Sequence, residues 1–204
     1  MSPDVIIKGQ SFKGDPSIVG DSNALGFRWR PGSTKNSILI EDCIIDANGA
    51  AEGLKFSYVH DVIVKRCTII GGYEDCVDIV RGGDIFFEEC VFIANKTKHH
   101  FTIKCDVSNV EIKNCIFRNN FNRWWDGACV DLGNWGSYNT EFMPTTRDIK
   151  ITDCTLENIS WWKKILTRRI YAENPEVINT DGYNLKIPSF FVKLFWGLRR
   201  WQTQ

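Results

Sequence analysis

The stretch DIFFEEC, Asp84–Cys90, decides the fold because the same pattern recurs along the chain. Four other segments end on a cysteine in the same way: SILIEDC at Cys43, DVIVKRC at Cys67, NVEIKNC at Cys115 and DIKITDC at Cys154. An earlier copy, DVIIKGQ, has Gln10 in the place of the cysteine. Each copy begins at a turn-forming residue and then alternates apolar with polar residues, which is the period of a half-buried β-strand. Its β-branched and aromatic residues also favour strands.

The spacing of these cysteines indicates how the strands are arranged. The intervals are 24, 23, 25 and 39 residues. Units of about 24 residues that return to one register stack as a parallel β-solenoid. The cysteines then form an aligned ladder of reduced, buried thiols. An antiparallel sandwich fits less well, because it would need two-residue hairpin turns. Each unit holds a second strand-like run: LGFRWRPG, EGLKFSYVHD, CVDIVRGGD, FTIKCDVSN or CVDLGNWG.

Residues 161–204 differ in composition from the solenoid predicted over residues 1–160. They carry eight Lys or Arg against three acidic residues. Apolar residues at helical spacing predict an amphipathic helix that caps the open end of the solenoid, namely Phe190, Phe191, Leu194, Phe195 and Leu198. We expect this segment to be a cap and not an independent domain. A basic, aromatic helix would also suit contact with a membrane surface or self-association.

Composition limits the classes of partner and the cellular location. The 204 residues carry 25 basic and 25 acidic side chains, so no overall positive field favours nucleic acid. The N-terminus has no basic region followed by an apolar run, and no apolar stretch is long enough to span a bilayer. We therefore expect reduced cysteines and an intracellular or virion-associated protein.

Strand alternation predicts a charged column on one outer face. If Leu54 and Phe56 point inward, then Lys55 points outward, and the same alternation applies to the other coils. The outward column contains Arg28, Lys55, Asp78, Thr102 or Lys104, and Asp131. Such a mixed-charge stripe suits a groove for a charged polymer. It equally suits a solvated face with salt bridges between rungs.

With these repeats, the sequence resembles the right-handed parallel β-helix of the pectin-lyase-like superfamily. The closest pattern is polysaccharide lyase family 1, the pectate lyases, over about residues 50–142. The stretches that carry the resemblance are AEGLKFSYVHDVIV, GYEDCVDIVRGGDIFF and KHHFTIKCDVSNVEIKNCIFRNNFNR. The core DCVDI also resembles the polygalacturonases of the same superfamily. The implied fold is an all-β, single-stranded right-handed parallel β-helix.

The resemblance also implies site residues. Glu52, Glu74 and Asp78 take the places of calcium-binding carboxylates, whose oxygen ligands suit that hard cation. Lys98, or Lys96 if the register slips by two residues, takes the place of a substrate-binding lysine of the catalytic groove. Arg123 takes the place of the catalytic base.

The family's arginine motif is incomplete here. Trp125 stands where the family has a proline, and the second arginine is missing, with Asp131 falling near its place. Lys55, Lys104 and Asp131 would contact substrate. Trp124 and Trp125 would either stack on sugar rings or pack the insertion against the coils.

The implied function is action on, or binding of, an acidic polysaccharide, through calcium-assisted β-elimination. Two alternatives stay open. Hydrolysis needs two carboxylates, which Glu52, Glu74, Asp75 and Asp78 could supply. Of His99 and His100, which are adjacent, one can face the groove. A non-enzymatic β-helix of a virion or cell-surface assembly would also explain the short coil count and the aromatic tail.

Overall fold

The computed structural model describes residues 3–18, 20, 22–29, 37–95, 99–119, 129–132, 146–159, 166–169, 172–173, 175–180 and 183–186. Over these ranges the chain forms seventeen β-strands that pair in parallel. None of the described residues lies in a helix long and apolar enough to cross a membrane. The expected all-β parallel solenoid is confirmed.

The strands form three faces, because each coil runs across all three before the next coil begins. The first face contains β3 (Asn23–Arg28), the leading halves of β6 (Glu52–Lys65), β8 (Asp75–Glu88) and β10 (His99–Lys113), then β12 (Val130–Leu132), β15 (Leu166–Arg169) and β17 (Tyr183–Lys186). The second contains β1 (Val5–Lys8), β4 (Ile38–Glu41), the trailing halves of β6, β8 and β10, then β13 (Arg147–Thr152) and β16 (Glu176–Ile178). The third contains β2 (Ser11–Lys13), β5 (Ile44–Asp46), β7 (Thr68–Ile70), β9 (Val91–Ile93), β11 (Ile116–Arg118) and β14 (Thr155–Glu157).

The corners between faces are made by residues whose backbone has a positive φ, in the left-handed region of conformational space. One corner lies immediately before each ladder cysteine, where φ is between 49° and 56° at Asp42, Arg66, Glu89, Asn114 and Asp153. A second corner bends β8 at Arg81, with φ 55°, and Gly82, with φ 131°. A Cβ on Gly82 would lie 2.1 Å from the carbonyl oxygen of Val59 in the coil before it. That position therefore requires glycine.

The interior follows the alternation of the sequence. All eight cysteines are free and buried, and the predicted ladder of stacked, buried cysteines is confirmed. In the ladder each thiol lies near a carbonyl two residues earlier, as Cys67 Sγ does 3.1 Å from the oxygen of Lys65. Four phenylalanines contact one another beside the ladder, with ring centroids 4.6–6.0 Å apart, namely Phe87, Phe92, Phe101 and Phe117.

Parallel pairing continues beyond residue 160, where the sequence predicts that the solenoid ends. β15 and β17 extend the first face, and β16 extends the second. After β16, Asn179 has φ 47° and Thr180 takes the ladder position, since its Oγ1 accepts a 3.0 Å hydrogen bond from the backbone N–H of Cys154. The expected amphipathic helix at residues 190–198 lies outside the described residues.

Candidate functional site

Charged side chains of the first face lie in register on its outer side. One row joins Lys55, Asp78, Thr102 and Asp131 across β6, β8, β10 and β12. A second row, three residues earlier along the strands, joins Glu52, Asp75 and His99. Arg28 and Lys104 lie two residues further along the strands, in register with Ser57 and Val80. We call this set the charged cluster: Glu52, Lys55, Asp75, Asp78, His99, Thr102, Lys104 and Asp131.

The carboxylates of the charged cluster are buried, although they project away from the solenoid core. Glu52 and Asp78 are each 1% exposed, Asp131 is 2% exposed and Asp75 is 5% exposed. Buried carboxylates must be paired or hydrogen-bonded, because taking an isolated charge out of water is very costly. The outer face of these coils is therefore not a fully solvated strand surface.

Two lysines neutralise Asp78. Lys55 Nζ lies 3.0 Å from Asp78 Oδ2, and Lys104 Nζ lies 3.0 Å from Asp78 Oδ1. Lys55 Nζ is also 3.3 Å from Glu52 Oε1. The Lys55 ammonium thus lies between two of the three carboxylates that the family resemblance assigns to calcium.

These carboxylates do not fit calcium in this arrangement. Among the described residues, no group of three or more His, Cys, Asp or Glu side chains is arranged to hold a metal ion. A calcium ion between Glu52 and Asp78 would meet the ammonium of Lys55 at short range. The third residue of the set, Glu74, lies in the turn before β8, where its backbone N–H donates to the carbonyl of Ala51.

His99 links two aspartates on neighbouring coils. Its Nδ1 is 2.9 Å from Asp75 Oδ1, and its Nε2 is 3.7 Å from Asp131 Oδ2. Thr102 Oγ1 is 3.3 Å from the same Nδ1. Burial raises the pKa of the Asp75 carboxyl above its ordinary value, and the hydrogen bond with His99 offsets part of that rise. A carboxyl group of this kind keeps its proton to higher pH and is a candidate proton donor.

The neighbouring histidine points the other way. His100 projects into the solenoid, where its Nε2 is 3.2 Å from the carbonyl oxygen of Arg118 and its ring meets Phe117 edge to face. Burial lowers its pKa to about 4. The expectation that one of the two histidines faces the outer side is confirmed, and that residue is His99.

Exposure is graded across the charged cluster. The side chain of Lys104 is 29% exposed and that of Lys55 is 14% exposed, against 1% for Asp78. Burial alone would lower the pKa of Lys104, but the carboxylates of Asp78 and Asp75 raise it above its ordinary value. A ligand that approaches this cluster therefore meets ammonium groups before it meets carboxylates.

Five candidate site residues named in the sequence analysis lie outside the described residues: Lys96, Lys98, Arg123, Trp124 and Trp125. Of the remainder, the structure brings together Glu52, Lys55, Asp78, Lys104 and Asp131. Sequence reasoning assigned no role to His99 in this cluster and treated Asp75 as one of four carboxylates that hydrolysis could use. Aligning the coils on their inward residues could have found both, because it places His99 in register with Asp75.

A family model for the right-handed β-helix region matches residues 5–146. The chain belongs to the right-handed β-helix family. This match agrees with the parallel pairing and three-faced coils described above. The β-helix family describes an architecture and not one reaction. No curated protein is similar enough in sequence to serve as a named relative.

Proposed function

We propose that this β-helix binds an acidic polysaccharide at the charged cluster and cleaves it by acid–base hydrolysis. The observation that carries the proposal is the convergence of Asp75, Asp78, His99 and Asp131 from three coils onto one outer patch. Glycoside hydrolysis needs two carboxyl groups in different protonation states. The raised pKa of Asp75 suits the proton donor.

Asp78 suits the second carboxyl role. Two ammonium groups 3.0 Å away hold its negative charge in place, as a group that faces a developing positive charge on the sugar requires. His99 fixes the Asp75 carboxyl from one side and reaches toward Asp131 on the other. Lys104 and Lys55, the more exposed members, suit recognition of uronate carboxylates.

β-Elimination assisted by calcium is the competing reaction. The family pattern favours it through Arg123 and Lys98, whereas the Lys55 ammonium between Glu52 and Asp78 disfavours the cation. When bound, calcium would neutralise the uronate and acidify the proton next to its carboxylate. The two reactions leave different products, so a product assay separates them.

The experiment is incubation with polygalacturonate and alginate, with and without a calcium chelator. Hydrolysis yields new reducing ends without ultraviolet absorbance from unsaturated sugars, and chelation leaves the rate unchanged. Asp75→Asn should lower kcat by at least about 100-fold, whereas the control Glu88→Gln on the second face should not change it. Unsaturated products that disappear with the chelator would instead support β-elimination.

A second candidate function is structural, and the burial of the cluster favours it. Carboxylates that are 1–5% exposed and paired with lysines resemble an internal ion network more than an open groove. On this hypothesis the protein is a non-enzymatic β-helix of a larger assembly. The absence of any cleavage across a broad uronate panel by a folded protein would favour this function over catalysis.

A further inference from the structure

The second face carries an apolar stripe on its outer side. Four residues in register on β1, β4, β6 and β8 form it: Ile6, Leu39, Ile63 and Phe86. Ile6 is 54% exposed and Ile63 is 36% exposed. On the next coil the same position is Glu111, so the stripe ends there. An exposed apolar patch of defined length marks an interaction surface more often than isolated apolar residues do.

A ladder of alternating charge runs beside this stripe, two residues further along each strand. Its members, in coil order, are Lys8, Glu41, Lys65, Glu88 and Lys113. Within the chain Lys8 pairs with Glu41 at 2.5 Å and Lys65 pairs with Glu88 at 2.7 Å. Because the signs alternate from rung to rung, a copy of the same ladder shifted by one rung has the opposite sign at every position.

We propose that the apolar stripe and charge ladder form the interface of a two-fold symmetric dimer of this chain. The axis runs parallel to the strands just outside the second face, over the gap between β4 and β6. It places Ile6 against the partner's Phe86 and Leu39 against the partner's Ile63. The same axis places Lys8 against the partner's Glu88 and Glu41 against the partner's Lys65. Each of these eight residues then faces a residue of the partner that is complementary to it, apolar against apolar or opposite in charge, as a self-complementary interface requires.

Other positions of the axis lose this match. An axis passing through β4 would set Glu41 against the partner's Glu41 and leave Phe86 without an apolar counterpart. An axis between β6 and β8 would set Leu39 against the partner's Glu111. The charge ladder thus excludes any axis that passes through a strand, and the end of the stripe at Glu111 selects the axis between β4 and β6 over the one between β6 and β8.

The size of the patch predicts a weak dimer. Four strands at about 4.8 Å spacing and four residues at about 3.3 Å rise give a footprint of roughly 20 by 13 Å. This is about 260 Å² per partner, well below the roughly 800 Å² of a standard specific interface, so we expect an association that is transient and depends on concentration. The inference is independent of the proposed function, since the second face carries none of the charged cluster.

Sedimentation velocity of the full chain over a range of concentrations tests the dimer. We expect a reversible shift from the 23.4 kDa monomer toward twice that mass. Ile63→Glu should raise the dissociation constant by at least about tenfold, because it places a carboxylate at the centre of the stripe. Ile44→Glu is the matched control, because Ile44 is 51% exposed on the third face, and it should leave association unchanged.

Charge reversal provides a second variant that leaves the apolar residues intact. Lys65→Glu sets a carboxylate against the partner's Glu41 at two symmetric positions and should also weaken the dimer, most strongly at low salt. Circular dichroism spectra and thermal melts of each variant establish that it is folded. A wild type that stays monomeric up to its solubility limit overturns the proposal. So does a dimer that Ile63→Glu and Lys65→Glu leave intact, or one that Ile44→Glu weakens equally.

Discussion

Asp78 has both carboxylate oxygens 3.0 Å from a lysine nitrogen, and its side chain is 1% exposed. Its strand partner in the coil before is Lys55, and Lys104 comes from the coil after. One residue thereby ties three coils together through charge. Pairs of this kind add little net stability over apolar packing, but removing one partner leaves the others buried and uncompensated.

Replacement of Asp78 by Asn should therefore be costly. The two ammonium groups lose their counter-charge, and we expect the free energy of unfolding to fall by about 3 kcal/mol. Urea unfolding at neutral pH measures it. Glu88→Gln is the matched control, since its pair with Lys65 is 36% exposed on both sides and should contribute at most about 1 kcal/mol. Equal losses in the two variants would contradict the prediction.

His100 gives the stability of the protein a specific pH dependence. Its pKa is lowered by burial from 6.5 to about 4, so between these values the unfolded chain binds a proton that the folded chain does not. The contribution of His100 to the free energy of unfolding is therefore fully present above the unfolded pKa and is lost as the pH falls toward 4. From pH 7.5 to pH 5 the loss should be about 2 kcal/mol.

The comparison of wild type with His100→Gln isolates this contribution. Glutamine retains a donor for the carbonyl of Arg118, which accepts from the ring at 3.2 Å, but it does not titrate. The raised pKa of Asp75 acts in the opposite direction and is the same in both proteins. If urea unfolding shows the same loss for both proteins between pH 7.5 and pH 5, His100 is not the group responsible.

At the scale of elements, the repeat predicted the strand runs of each coil but not the corners that join its three faces. Alternation in DIFFEEC and its copies correctly gave the strand, its inward residues and the ladder cysteine. It did not give the left-handed residue before each cysteine, because Asp, Arg, Glu and Asn occupy that position and only Asn and Asp favour it intrinsically. Tertiary pairing of neighbouring coils imposes the corner.

Asn114 tests how much this corner costs. Its φ is 53°, and its backbone N–H donates to the carbonyl of Thr152 on the next coil at 3.0 Å. Asn114→Val should lower the free energy of unfolding by about 1–2 kcal/mol, because a β-branched side chain is strained in this region. Asn114→Gly should be neutral or stabilising. Lys113→Val, one residue earlier in an ordinary strand, is the control and should change stability little; a loss there equal to that in Asn114→Val would contradict the strain argument.

At the scale of the whole molecule, the same alternation predicted which residues belong to the charged cluster but not how deeply they are buried. It placed Lys55, Asp78 and Asp131 on the outer side because each lies between two inward residues. It could not predict that Asp78 and Asp131 are 1–2% exposed, since alternation reports the side of a strand and not what lies against that side. The calcium hypothesis came from the family resemblance and did not anticipate that the Lys55 ammonium would lie between Glu52 and Asp78.

The buried thiols make the stacking of the coils measurable in solution. In a solenoid each coil contacts only its neighbours, so the terminal coils open at lower free energy than the central ones. Short alkylation pulses at increasing urea concentration, read by peptide mass spectrometry, report the opening of each coil through its own cysteine. We expect Cys43 and Cys154, nearest the ends of the ladder, to be labelled at lower urea concentration than Cys67 and Cys90. Labelling of the fully unfolded chain gives the intrinsic rate at each site. If all ladder thiols follow one curve that coincides with global unfolding, the coils act as a single cooperative unit, and charge links such as Lys55–Asp78–Lys104 become the strongest candidates for what couples them.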